Sequence, residues 1–496
     1  MADTVINEGH TQDTDVKEFF RKGLQRLGPD DEVNPAGVTD ESIQQGADLE
    51  YTEKLSQKDA GVLRRLLSSG IPVRKLSIFE ISHSAFKIAF ENLEECPSLQ
   101  EVLLEIDCKG KDLGIHLCGA FKSLRSLDLR CDNTGSGFAK EIARYIHENK
   151  SLRELSLWNS CGGDEGAAAL IEVLTMNETL KRFTLAAMEL SSNTLIGFVK
   201  MLASNSTLEL VDLFDVCPAE KDQVSRLLET ELYASAFKRL LILWPEQLLP
   251  QVTRLLRQQA CNPELSVSVT SSVDEVVLRE FFDAVAADTT LRMLHFYPSE
   301  DLFDALADGI ASVVKRTNTL REIRNLMRVQ NGKEHQLISI LEALKENRCV
   351  TNFTMYIESL TAEIATSLSE LLAVNNTLND VAICEYWGIL PDQVETILQG
   401  LRKNYTLTGL MVSWDPDDSD GISEMEELLK RNIRLQKKAA EFVISGSGDV
   451  SDVEGEDAFK KLHSSAGLVE KVRELTGKTT EAALEEIQSA FARLSA

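Results

Sequence analysis

Apolar and polar positions along this chain follow two rhythms that replace one another at a nearly fixed interval. A phrase L-x-x-L-x-L aligns from Leu124 to Leu152 to Leu180 to Leu208, three steps of 28 residues each. Within the phrase apolar and polar residues alternate, the period of a short strand with one buried face. Between phrases the spacing becomes helical, as in "GFAKEIARYIHEN" (137–149) and "GAAALIEVLTMN" (166–177). A period held this tightly marks a repeat architecture.

Looser copies extend the pattern in both directions. Upstream they begin at Val73 and Leu99; downstream at Phe237, near Asn262, and at Leu291, Leu320, Val350, Leu378 and Leu407, with steps of 25 to 30 residues. Leu435 keeps the spacing but leads into "QKKAAEF", which has no strand pattern, so the array is expected to end there. A strand and a helix repeated about thirteen times give a parallel sheet with helices on one side. Strands pack about 4.8 Å apart, helices roughly 8–10 Å. The stack must therefore curve, as an α/β solenoid or horseshoe with strands on the concave face and helices on the convex one.

The segment "LRELSLWNSCGGDEGAAALIEVLTMNETL" (152–180) resembles the long repeat of ribonuclease-inhibitor-type leucine-rich proteins. That group includes the inhibitor, the repeat regions of NLR immune receptors and the Ran GTPase-activating protein. Gly166-Ala167 matches the small pair that opens the family's helix, and Gly137-Phe138 approximates it one repeat earlier. The resemblance covers roughly 72–435. The residue that usually follows the strand, Asn or Cys, departs to Met188 and Val216 in two repeats. The resemblance implies non-catalytic protein binding, with NLR-like recognition or regulation of signalling within its range. GTPase activation of the Ran-directed kind is the alternative.

The ends differ in composition. Residues 1–50 carry twelve acids against four bases and read as a mobile acidic segment. Residues 51–71 contain the helix pattern "SQKDAGVLRRLLSS", a cap for the first repeat of the 72–435 array. Residues 436–457 read as an end cap followed by a flexible acidic linker, "SGSGDVSDVEGED". Residues 458–496 have helical spacing throughout. They are too few for a core of their own and are expected to dock on the array or on a partner.

Charge and chemistry change this picture little. The formal net charge of −27 argues against nucleic-acid binding and is compatible with a basic protein partner. No apolar run suits a membrane span. The start, "MADTVINEGHTQDTDVKEFF", lacks the basic and apolar parts of a secretory signal. Nine scattered cysteines then read as reduced thiols of a cytoplasmic protein. The N-x-[ST] triplets at Asn149, Asn177, Asn205, Asn375 and Asn404 recur at one place in the repeat, and are expected to shape the helix-to-strand turn. Asn352 begins a further triplet.

No enzyme, cofactor or metal site is expected. "LTGKTT" (475–480) has Val472 where a phosphate loop needs a glycine. Asp415 and Asp417 begin a calcium-like loop that has Asp420 at its glycine position. Cys108, His116 and Cys118 fit no common zinc spacing.

The repeat itself supplies the candidate site. The residue after the last apolar position points into the concavity. It is Phe79, Glu105, Arg130, Trp158, Ala186, Phe214, Leu243, Ser268, Tyr297, Tyr356, Cys384 and Ser413 in the readable repeats. Five of these twelve are aromatic in a chain that is 6% aromatic, which points to a stripe of interface anchors. Glu154, Arg182, Asp212, Arg239, His295 and Asn352 flank it as concave-face candidates.

Overall fold

The computed structural model describes residues 47–495 apart from 109–112, 116–117, 132–134, 159–160, 187–189, 214–215, 217–220, 231–232, 298–299, 385–390, 413–418 and 446–451. Phe214, Ser413, Met188, His116, Asp415, Asp417 and nearly all of the acidic N-terminal segment lie outside the described residues. The chain divides into two compact units, 1–243 and 244–496.

The first unit is built on eight parallel strands whose spatial order equals their chain order. They are β1 (Ala47–Tyr51), β2 (Val73–Ser82), β3 (Glu101–Asp107), β4 (Ser126–Cys131), β5 (Glu154–Trp158), β6 (Arg182–Ala186), β7 (Leu210–Asp212) and β8 (Leu240–Leu241). The connections carry α1 (Gln57–Ser68), α2 (His83–Phe90), α3 (Ser136–Glu148), α4 (Gly163–Met176), α5 (Ser192–Ser204), α6 (Lys221–Leu228) and the short α7 (Ala234–Phe237). Strand β1 was not expected. It straddles the boundary drawn between the mobile segment and the cap, and it adds an outer strand to β2.

The second unit has seven parallel strands in chain order. They are β9 (Leu243–Pro245), β10 (Glu264–Ser268), β11 (Met293–Tyr297), β12 (Glu322–Val329), β13 (Asn352–Ile357), β14 (Asp380–Cys384) and β15 (Gly409–Val412). Between them run α8 (Leu249–Arg257), α9 (Glu275–Ala287), α10 (Asp304–Arg316), α11 (Glu334–Glu346), α12 (Ala362–Val374) and α13 (Pro391–Leu401). Then come α14 (Ser419–Ser445), α15 (Val453–Leu462), α16 (Ala466–Thr476) and α17 (Thr480–Ser495). Each unit is thus an α/β repeat solenoid. The repeat read from Phe237 is split, with β8 closing one sheet and β9 opening the other.

The elements form where the pattern places them. Ser56, Ser82, Ser191, Asp274 and Thr361 cap helices, each side chain accepting a first-turn backbone N–H. Helix α3 buries Phe138, Ala139, Ile142, Tyr145 and Ile146 on one face. Strand residues Leu127, Leu155, Phe183, Val211 and Leu240 line up across neighbouring strands, all buried beneath the helices. Gly166 has to be small, because a Cβ there would stand 1.6 Å from the Cys161 carbonyl oxygen and 2.8 Å from Ala139 Cβ.

The recurrent asparagines form the second frame of the array. Asn205 Oδ1 accepts the N–H groups of Thr207 and Leu208 at 2.7 and 2.8 Å. Its Nδ2 donates to the carbonyls of Leu174 and Asn177 in the preceding repeat, at 2.8 and 2.9 Å. Asn375 and Asn404 repeat this pattern. Asn149 differs only in sending Nδ2 to Phe121 and the Tyr145 hydroxyl. The side chain thereby satisfies helix-end carbonyls and turn N–H groups that burial would otherwise orphan.

Of the linker expected over 445–457, residues 446–451 lie outside the described residues, and helix occupies most of what flanks them. Residues 436–445 continue α14, and 453–457 open α15. Ala439, Ala440 and Val443 of α14 are buried with Phe459, Leu462, Leu468, Val472, Ala483, Ile487 and Ala490 in one core. Four helices therefore share this core, which answers the shortage of apolar residues in 458–496 alone. Asn432 Nδ2 and Gln436 Nε2 of α14 donate to the carbonyls of Leu407 and Thr406, at 2.7 and 3.0 Å.

Candidate functional site

Alternate residues of each strand face away from the helices, and register aligns them in rows. In the first sheet one row runs Lys75, Glu101, Ser126, Glu154, Arg182 and Leu210. The next runs Ser77, Leu103, Asp128, Ser156, Thr184, Asp212 and Leu241. The third holds Glu105, Arg130, Trp158 and Ala186. Of the expected residues, Glu154, Arg182, Asp212 and Trp158 therefore share one open face. Glu154 and Arg182 are exposed register neighbours. Phe79 lies where the pairing of β2 is interrupted between Ile78 and Ile81, and is partly exposed.

Trp158 is the centre of this face. The guanidinium of Arg130 lies over its ring, 5.3 Å from the centroid. Asp128, one row away, has Oδ1 3.8 Å from Arg130 Nε, too long for a hydrogen bond. Among the described residues both atoms are buried without a hydrogen-bond partner. Burial pushes the Asp128 carboxyl above the usual range, and the charge of Arg130 only partly offsets it. A large ring stacked under a guanidinium, beside a loosely paired carboxylate, is the kind of group that anchors an interface.

The second sheet repeats the arrangement with different groups. Its rows are Glu264, Met293, Glu322, Asn352, Asp380 and Gly409, then Ser266, His295, Arg324, Thr354, Ala382 and Met411. Tyr297 and Tyr356 occupy the third, beside Ser268 and Cys384. His295 Nε2 lies 3.2 Å from Glu322 Oε1, and Arg324 Nη2 lies 2.8 Å from the same oxygen. The His295 hydrogen bond, with help from the Arg324 charge, holds the Glu322 carboxyl below its usual range. A cavity of about 370 Å³ opens here, lined by Glu322, Arg324, Asn352, Asp380, Gly409 and Met411 among others. Gly409 makes room, since a Cβ would meet Asp380 Oδ1 at 2.1 Å.

Arg239 is a correction. Its Nη1 donates to the carbonyls of Asn205 and Leu208 at 2.7 and 2.8 Å, and its Nη2 to Leu202 at 2.5 Å. It stands just ahead of β8 and reaches the C-terminus of α5 instead of the open face. Its repeat lacks the ladder asparagine, and the arginine supplies the missing donors. Arg431 does the same after the last repeat, on the carbonyls of Leu401, Arg402 and Asn404. Asp128, Arg324 and Glu322 are site residues beyond those the sequence pattern singles out. Two of them, Asp128 and Arg324, sit in the fifth slot of the phrase, so the signal was in the chain.

Gly477 ends α16 in the left-handed region, φ 68°, as a helix C-cap does. Cys108 and Cys118 are buried, and burial pushes the Cys118 thiol up to about 12. Among the described residues no group of three or more His, Cys, Asp or Glu could hold a metal ion. No described helix is long and apolar enough to cross a membrane.

No family model and no curated protein matches the chain. Among solved structures it is similar to leiomodin-1 actin-binding site 2, at 16% identity over 39% of this chain and 91% of that one, with a TM-score of 0.24. It is also similar to a chain of the yeast Rad7–Elc1 complex, at 14% identity over 76% of this chain and 89% of that one, with a TM-score of 0.44.

Proposed function

We propose that the chain is a non-catalytic, cytoplasmic protein-binding scaffold of the ribonuclease-inhibitor type, and that the open face around Trp158 is its main contact. The observation that carries this reading is the trio Asp128, Arg130 and Trp158. A ring held by a guanidinium stands beside two buried polar atoms, Asp128 Oδ1 and Arg130 Nε, that form a loose ion pair and lack hydrogen-bond partners. Tryptophan and arginine are the residue types that concentrate binding energy in interfaces. The charges on this face, Glu101, Glu105, Asp128, Glu154 and Asp212 against Lys75, Arg130 and Arg182, favour a basic partner. An NLR-like part in recognition or regulation would use the same face.

The test compares the wild type with Trp158→Ala combined with Asp128→Asn. Proteins captured from the native cell are identified by mass, and their affinities remeasured with purified components. The pair of substitutions should weaken a genuine partner roughly a hundredfold. Losing the Arg130–Trp158 contact should cost stability only about 1 kcal/mol. A partner bound equally well by both proteins would move the contact away from this face.

A further inference from the structure

A second feature has the opposite charge. A cleft of about 710 Å³ in the second unit runs along the N-terminal ends of β11 to β14, with α16, α17 and the turn before α16 as its other wall. The strand side carries Arg292, Arg321, Thr351 and Asn379, each in the second slot of its phrase. They are successive rungs: Arg321 N–H donates to the Arg292 carbonyl, Thr351 to Arg321 and Asn379 to Thr351, at 2.7, 2.8 and 2.8 Å. Arg348, in the turn before β13, joins them.

These arginines are held but not neutralised. Arg292 Nη1 donates to the carbonyls of Thr289 and Leu291, both at 3.1 Å. Arg321 Nη1 donates to Cys349 at 2.9 Å, and Arg348 Nη1 to Lys345 and Asn347 at 2.9 and 3.0 Å. Among the described residues none of the three has a carboxylate within 4 Å, and their Nε and Nη2 groups have no hydrogen-bond partner. Across the cleft Arg473 pairs with Glu470 through Nη1, while its buried Nε has no partner. Four arginines thus face two acids, Glu470 and Glu481, in a chain whose net charge is −27.

We propose that this cleft binds an acidic, extended peptide segment of a partner protein. Anchored guanidinium groups with free forks suit carboxylates. Thr351, Asn352 and Asn379 supply polar groups for a peptide backbone. Four rungs separated by three steps of about 4.8 Å give a track of roughly 15 Å, the length of four or five extended residues. The cleft belongs to the second unit, whereas Trp158 belongs to the first, and its charge preference is the reverse.

The experiment is fluorescence anisotropy of end-labelled hexaglutamate on the full-length chain at low salt, with hexaglutamine carrying the same label as the neutral probe. The wild type should bind hexaglutamate and not hexaglutamine. Arg321→Glu with Arg348→Glu should weaken binding about tenfold or more. Because those arginines also touch backbone, Leu484→Glu provides an independent variant. It places a carboxylate on the far wall at an already 41% exposed position, and should also weaken binding. Arg65→Glu with Arg144→Glu, two exposed helix residues elsewhere, makes the same charge change and should leave affinity within about twofold. Equal loss in both arginine pairs, no effect of Leu484→Glu, or no binding by the wild type would each overturn the proposal.

Discussion

Asn205 shows how much of this architecture rests on one side chain. It makes four hydrogen bonds that join two repeats, and it is 5% exposed. Asn205→Ala orphans the Asn177 carbonyl and two N–H groups, leaves the Leu174 carbonyl only the Asn177 N–H at 3.3 Å, and should cost about 3 kcal/mol or more. A fall of roughly 6–12 °C in the unit's melting temperature would follow, and differential scanning calorimetry would read it. Asn205→Asp copies Asp288, whose Oδ1 accepts from Thr290 and Leu291. It should lose less, because only the donated bonds disappear.

Glu322 gives a pH dependence of known sign. Its carboxyl titrates lower in the folded unit than in the unfolded chain, chiefly because of His295. The stability it contributes is therefore present above the unfolded pKa and disappears as pH falls through the folded one. Thermal unfolding of the wild type and of Glu322→Gln should differ at neutral pH and converge as acid takes the pH through the lowered folded pKa. A gap unchanged by acid would mean that this network adds nothing.

At the scale of elements, the C-terminal helices reverse an expectation. A flexible linker at 445–457 implies that everything beyond it is removable. The structure instead seats Phe459, Leu462, Leu468 and Val472 against Ala439, Ala440 and Val443 of α14. Each large apolar side chain in that core contributes about 1.5–3 kcal/mol through burial. A chain ending at residue 445 should melt several degrees lower and bind a hydrophobic dye, since it bares the apolar face of α14. Dye binding and a melting curve equal to those of the full chain would restore the removable tail. Composition misled here because it marks the helix N-cap, where Asp452 accepts the Gly455 N–H, and not the packing beyond.

For each unit as a whole, stacking is the source of stability, because a repeat buries its apolar face only against its neighbours. Leu155 is 1% exposed and lies in register between Leu127 and Phe183. Leu155→Asp puts a carboxylate there at a cost of several kcal/mol. Loss of the first unit's calorimetric transition, or of soluble protein, is expected. A normal transition would show that the register is not the one seen.

The sequence by itself determined the repeat, the alternation of strand and helix, and which strand residues face inward, because these depend on periods of 2 and 3.6 local to each phrase. It also marked Trp158, Tyr297, Tyr356, Glu154, Arg182, Asp212, His295 and Asn352 as members of outward rows, since row membership follows from slot number alone. Tertiary structure decided the rest. Arg239 turned inward because its own repeat lacks an asparagine and the carbonyls of α5 need donors. Asp128 became special only when Arg130 came to rest 3.8 Å away over the neighbouring tryptophan. The arginine cleft needs α16 and α17 folded against strand ends roughly 90 to 190 residues earlier. Periodicity fixes what each residue faces within its own element, whereas partners distant in sequence are chosen by packing, which no local period encodes.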